Sequence, residues 1–216
     1  MSLGKEYLED HYYEYYYKEN TFMNITIEDV RFSYCNLFQP QARPGQDPKY
    51  SVTILVSKTN TAAKAQIDQA VAQTIENGVT SKWNGVRPPQ LSICIHDGDG
   101  ARPSDGQPYG KECKGCWVFT ASCKQPPHVV DAQVQPIIDP TQVYSGMYGN
   151  VSVNFFPYNS KGNKGIGCGL NGVQKVRDGE PLDVRVTAAE AFQAVTPAYN
   201  TGFTVDPITG MPVTGR

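Results

Sequence analysis

The sequence has no apolar run of about 18 residues, the length a membrane-spanning helix requires. No basic-then-apolar start marks a secretion signal. Only three histidines occur in 216 residues, and no Ser-His-Asp or Cys-His arrangement can be assembled from them. Positive charge is not in excess either: the formal net charge is −2, which taken alone argues against a nucleic-acid binder. The six cysteines form no disulfide framework by count in a chain this long, so they are read as reduced. These absences leave a cytoplasmic, non-membrane, non-catalytic globular chain needing no cofactor. With 39% hydrophobic residues it can bury one ordinary core.

The charge is unevenly spread. Residues 1–20 hold two lysines against five carboxylates, net −3, and are rich in tyrosine. Residues 111–177 hold seven cations against three carboxylates, net +4. Residues 1–21 are therefore set apart as an acidic tail. Residues 193–216, rich in Thr, Pro and Gly, are set apart as a flexible C-terminal tail. The domain is expected over 22–192.

Within it, short alternating segments predominate. In 22–34, Ile25 and Ile27 share a face; Val30, Phe32 and Tyr34 continue it with the phase slipped by one, which predicts a bulge that bends the strand. In 49–57, Tyr50, Val52, Ile54 and Val56 alternate with polar residues, and Leu55 stands on the polar side. Residues 60–78 form the one strong helical pattern, with Ala63, Ile67, Ala70, Val71 and Ile75 as its apolar stripe. Asn60 or Thr61 suits its start and Gly78 its end. Further strands are expected at 91–95, 116–124 and 147–159.

The stretch "GIGCGLNG" (165–172) contains a literal G-x-G-x-x-G. A dinucleotide loop needs a strand entering it and a helix leaving it. The approach "NSKGNK" reads as a turn, and the exit is broken by Gly179 and Pro181. A glycine-rich strand that lets something come close is the better reading.

Three groupings carry chemistry on paper. Asp97, Asp99 and Asp105, with His96, offer a divalent-metal or nuclease site, but also the ordinary chemistry of an Asp-Gly turn. Cys113, Cys116, Cys123 and His128 offer four soft ligands at a spacing that matches no standard zinc knuckle. The third grouping is a strand face. If Val151, Val153 and Phe155 are core, then Tyr148, Asn150, Ser152, Asn154, Phe156 and Tyr158 face outward, with Lys161 and Lys164 at the strand's end. Aromatic rings beside amines suit single-stranded nucleic acid; a second core layer or a homodimer interface would use the same rings. Trp117, on the odd face of 116–124, is read as core.

The segments "PKYSVTILVSK", "DGDGARPSDGQPYGK" and above all "VYSGMYGNVSVNFFPYNSKGNKGIGCGLNGVQKVRDGEPL" resemble a phage and prophage family of single-stranded-DNA-binding proteins, similar in fold to the OB-fold helix-destabilising proteins of lytic phages. The resemblance covers about residues 24–192. It implies a mainly β chain: an OB-fold-like curved barrel of five to six strands, one principal helix and flexible termini. It further implies a non-catalytic protein that binds single-stranded DNA in replication or recombination within a bacterial host, alongside phage replication or recombination proteins. The phosphate contacts expected from the residues are Arg31, Lys49, Lys124, Lys161 and Lys164; the stacking contacts are Tyr148, Phe156 and Tyr158. The rival readings are a metal-dependent nuclease using Asp97, Asp99 and Asp105, and a self-assembling structural phage protein.

Overall fold

The computed structural model describes residues 23–42, 45–160, 162–182 and 208. All of these except Ile208 belong to a compact unit that ends at Asp183. The expected tails, 1–21 and 193–216, lie outside the described residues apart from Ile208.

The elements run in the order β1 (Met23–Gln41), β2 (Lys49–Ser57), α1 (Thr61–Ser81), β3 (Ser92–Ile93), β4 (His96–Asp97), β5 (Cys116–Cys123), β6 (His128–Val130), β7 (Tyr148–Ser160) and β8 (Asn163–Arg177). Five of them close a ring: β1 pairs with β2, β2 with β5, β5 with β8, β8 with β7, and β7 with β1. Every pairing in the ring is antiparallel except the short parallel bridge Ser122↔Gly169 between β5 and β8. This is the five-stranded Greek-key barrel of the OB-fold. The short strands β3 and β6 extend β8, and β4 extends β5.

Closing so small a ring requires sharply bent strands, and the register of β1 shifts at three places, the last between Asn36 and Gln41. Its register against β7 shifts between Ile27 and Val30, where Asp29 takes a left-handed backbone (φ 50°). That is the slip visible in the sequence. A second shift, against β2, falls between Ser33 and Asn36, where Tyr34 has φ 48°. The strand therefore runs on to Gln41, well past the expected end at 34.

Inside the ring, Ile27, Phe32, Ile54, Phe119, Val151, Val153 and Phe155 are fully buried, as period-2 alternation requires. α1 packs against β1 and β7 and buries the predicted stripe. Asn60 caps it, its Oδ1 accepting from the Ala63 amide at 3.1 Å. Gly78 does not end the helix. It sits inside it because a Cβ there would meet the Trp83 ring at 2.7 Å and Pro157 at 2.8 Å. The Trp83 side chain fills that gap, fully buried, and its Nε1 donates to the Tyr158 carbonyl. Among the described residues no helix is long and apolar enough to cross a membrane.

Candidate nucleic-acid interface

The "GIGCG" stretch is the first half of β8, and its glycines all face away from the core. Ile166, Cys168 and Leu170 point inward and are buried. The register with β7 sets Tyr158 opposite Gly165, Phe156 opposite Gly167 and Asn154 opposite Gly169. A Cβ on Gly165 would lie 2.7 Å from Tyr158 Oη, one on Gly167 would lie 2.6 Å from Phe156 Cζ, and one on Gly169 would run into the Asn154 amide. The glycines let the side chains of β7 lie flat across the neighbouring strand, and Gly165 also admits the Ser92 carbonyl of the paired β3. The close approach expected at this stretch is made first by the protein's own rings.

The expected site residues fall into separate places. Arg31 and Tyr148 meet at the start of β7: the Arg31 guanidinium is 5.6 Å from the Tyr148 ring centroid, and that of Arg177 is 3.7 Å. Both cations are engaged. Arg31 donates to the Glu180 carbonyl at 2.8 Å, and Arg177 pairs with Asp29 at 2.9 Å. Lys49 and Lys124 meet at the far end of β2 and β5. There Lys124 pairs with Asp47 at 2.9 Å, and its hydrogen bond holds the Asp47 carboxyl below its usual range. Phe156, Tyr158 and Lys164 lie along the β7–β8 hairpin, about 30 Å of strand from Tyr148. Lys161 lies outside the described residues.

A concavity lies elsewhere, on the outer face of β1, β2 and β5. Its floor is polar and uncharged. Ser33, Thr53 and Thr120 are in register across three strands, as are Asn36, Ser51 and Ser122. Thr53 and Thr120 share a hydrogen bond of 3.0 Å, and Asn36 donates to Ser51. A cavity of about 580 Å³ opens over this floor, continued near Lys49 and Asp47 by one of about 330 Å³. The two share Asn36, Ser51 and Thr120 and so form one groove.

One wall of the groove is the flap 98–115, which carries Arg102 and Tyr109. The other carries Tyr34. Alternation had assigned Tyr34 to the core face with Val30 and Phe32. The second bulge of β1 turns it out instead, 67% exposed, while Phe32 stays fully buried. An aromatic residue held in the left-handed region costs roughly 1–2 kcal/mol, and such strain concentrates at functional sites. Nothing in the local sequence announces it.

The acidic loop anchors the flap. Lys58 Nζ donates to Asp97 Oδ1 and to Asp99 Oδ2 at 2.6 Å each, and Asp99 Oδ1 accepts from the Gly115 amide. The hydrogen bonds from Lys58 keep both carboxyls below their usual range and in turn raise the Lys58 ammonium. Asp105 pairs separately with Arg102 at 2.9 Å. The three carboxylates of the nuclease reading thus do not converge, and each already has a cation. Cys113 and Cys116 lie under the flap beside Leu55 and Val118, while Cys123 is at the other end of β5. Among the described residues no three His, Cys, Asp or Glu side chains are grouped to hold a metal. Trp117 is half-buried against the core, with the Lys58 and Lys64 ammonium groups 5.1 and 4.5 Å from its ring centroid. Burial lowers the pKa of His96, which lines the groove.

Comparison with known proteins agrees with this barrel. Bacteriophage T7 gp2.5, a single-stranded DNA binding protein, matches with a TM-score of 0.54 at 14% identity, covering 86% of this chain and all of that one. That likeness bears on the fold alone. The single-stranded DNA-binding protein from bacteriophage Enc34, solved in complex with single-stranded DNA, matches with a TM-score of 0.64 at 29% identity, covering 74% of this chain and 89% of that one. Protein p50 of Acyrthosiphon pisum secondary endosymbiont phage 1 is 32% identical over 165 residues, 73% of this chain and 85% of that protein. The family model described as Enterobacter phage Enc34, ssDNA-binding protein, matches residues 23–201. The chain belongs to the family of the Enc34 phage single-stranded-DNA-binding protein.

Proposed function

We propose that this chain coats single-stranded DNA without catalysis and with little sequence preference, in the replication or recombination of a phage or prophage in the bacterial cytoplasm. The binding domain is taken as residues 22–192. The observation that carries the reading is the groove on β1, β2 and β5. OB-folds bind oligonucleotides on the face of their second and third barrel strands, which here are β2 and β5. The groove floor offers hydroxyls and amides of no fixed donor-acceptor order, which favours no particular base. Tyr34 and Tyr109 offer rings to unpaired bases, Arg102 and Lys49 offer charge to phosphates, and Lys124 stands beside the groove on its partner Asp47. Arg31 and Tyr148 serve chiefly to tie the 178–182 segment to the barrel. Membership in a family named for a single-stranded-DNA-binding protein supports the same conclusion.

The test is retention of labelled single- and double-stranded DNA on filters across a salt series, with and without magnesium. Tighter retention of single strands, weakening linearly in the logarithm of salt, is expected. Equal retention of the duplex would remove the stacking argument. Magnesium-dependent cleavage would restore the nuclease, and no retention would leave a structural role.

A further inference from the structure

A second concavity lies at the tip of the β7–β8 hairpin, where the segment Pro88–Ser92 that follows α1 faces Tyr158 and Lys164 across an open cleft of about 980 Å³. Three observations bear on its use. Lys164 is half-buried and has no hydrogen-bond or ion-pair partner among the described residues. Lys58, Lys64, Lys124 and Lys175, by contrast, each hold a carboxylate. A partly desolvated cation with no counter-charge favours an anion from outside.

Tyr158, in turn, is held in place. Its ring lies on Gly165, and its carbonyl is fixed by the buried Trp83 indole at 3.1 Å. A ring already immobilised loses little entropy when a base stacks on it. Finally, the cleft adjoins the groove. Ser92 lines the cleft, and Cys94 and His96, two and four residues on, line the groove. Four residues of extended chain span about 13 Å at most.

We propose that this cleft is a second nucleotide subsite, which takes a base of the same DNA strand against Tyr158 and an adjoining phosphate at Lys164 after the strand leaves the groove. The proposal rests on the single-stranded-DNA reading above, and its test separates the two. The affinity of the full chain is measured for oligothymidylates of about five and about fifteen nucleotides, lengths near the two ends of the range of OB-fold site sizes. The wild-type protein should bind the longer strand more tightly. Tyr158→Ala should shrink that gain about five- to a hundredfold, the loss expected for one stacked base. Lys164→Gln, near the hairpin tip, should shrink it less and lower the salt slope for the long strand by about one. Melting curves of both variants check that the fold is intact, and Lys164→Gln decides the matter if Tyr158→Ala melts early. An unchanged gain in Lys164→Gln overturns the subsite and leaves the cleft to a protein partner. Equal losses on both lengths also overturn it, by placing Lys164 in the groove itself. Failure of the wild-type protein to bind either length defeats the DNA reading, and the subsite with it.

Discussion

Two outer faces of one barrel treat their side chains in opposite ways. On β7 and β8, aromatic rings and an amide lie down on glycines, so the face is nearly finished by its own residues. On β1, β2 and β5, small hydroxyl and amide side chains leave the floor low, and the walls come from elsewhere: a bulged tyrosine and a flap anchored by Lys58. The first face is rich in the residue types associated with nucleic-acid stacking, yet its concavity lies only at the hairpin tip, whereas the second carries a groove along its strands. Aromatic content along a strand is therefore a poor guide to where a strand of DNA is held. What matters is whether the ring borders a concavity, as Tyr34 and Tyr158 do.

The largest effect that would test this contrast is on stability. Gly149→Ala puts a Cβ against the Gln174 backbone carbonyl, which cannot move without breaking the β7–β8 ladder. It should cost about 3 kcal/mol or more, with DNA affinity falling only as the folded fraction falls. A folded variant that loses binding would move the site to the β7–β8 face.

Tyr34→Ala should do the reverse. Affinity for single-stranded DNA should drop by about 1–3 kcal/mol, while the melting temperature holds or rises, because Ala carries less bulk in the same strained backbone. Tyr34→Gly should raise stability further, by about 1 kcal/mol. A sharp fall in melting temperature in both would mean that Tyr34 is a packing residue.

Gly167→Ala sharpens the comparison. Its Cβ lifts the Phe156 ring, at a cost of about 1–2 kcal/mol, read as a fall in melting temperature of about 2–8 °C. Groove binding, measured by titration at a temperature where the variant is folded, should stay close to wild type.

Smaller again is Asp47→Asn, which frees Lys124 from its carboxylate. It should tighten DNA binding slightly at low salt, and the gain should vanish at high salt. The least effect concerns pH. His96 has a lowered pKa in the groove, so it is neutral at pH 7 and the folded protein resists its protonation. As pH falls below the ordinary value of 6.5, the unfolded chain takes the proton first and stability declines slightly. A nearby phosphate favours the charged ring, so DNA binding should strengthen over the same range, by about tenfold at most. His96→Gln should abolish that trend. Asp97, Asp99 and Lys58 should add nothing there. The lowered carboxyls lose their contribution only as pH falls through their folded values, below about 4. The raised Lys58 loses its contribution only as pH rises through its folded value, above about 10.

Much of this was legible in the chain, in some cases as an exception to a rule. Leu55 breaks the polar side of β2, and in the structure it is buried with Val118 and Cys113 under the flap. The phase slip before Val30 is the first bulge of β1. Gly78 was legible as a special position but for the wrong reason, since its role depends on Trp83 just past the helix and on Pro157 far along the chain.

By itself the sequence determined the alternation that makes a β barrel, the stripe that makes one helix, the inward set on β7 and the family resemblance. All of these are local or patterned along the chain, and burial of apolar side chains at period 2 or 3.6 enforces them. The tertiary structure alone decided which outward residues are occupied. Tyr148 lies among arginines from β1 and β8, the acidic loop is held by a lysine about forty residues earlier, and Lys164 is left without a counter-charge. It also decided that Tyr34 faces out, because a second bulge in β1 reverses the parity that its neighbours follow. Those facts depend on which strand lies beside which. Ring closure sets that through contacts between residues far apart in sequence, which no single strand's pattern encodes.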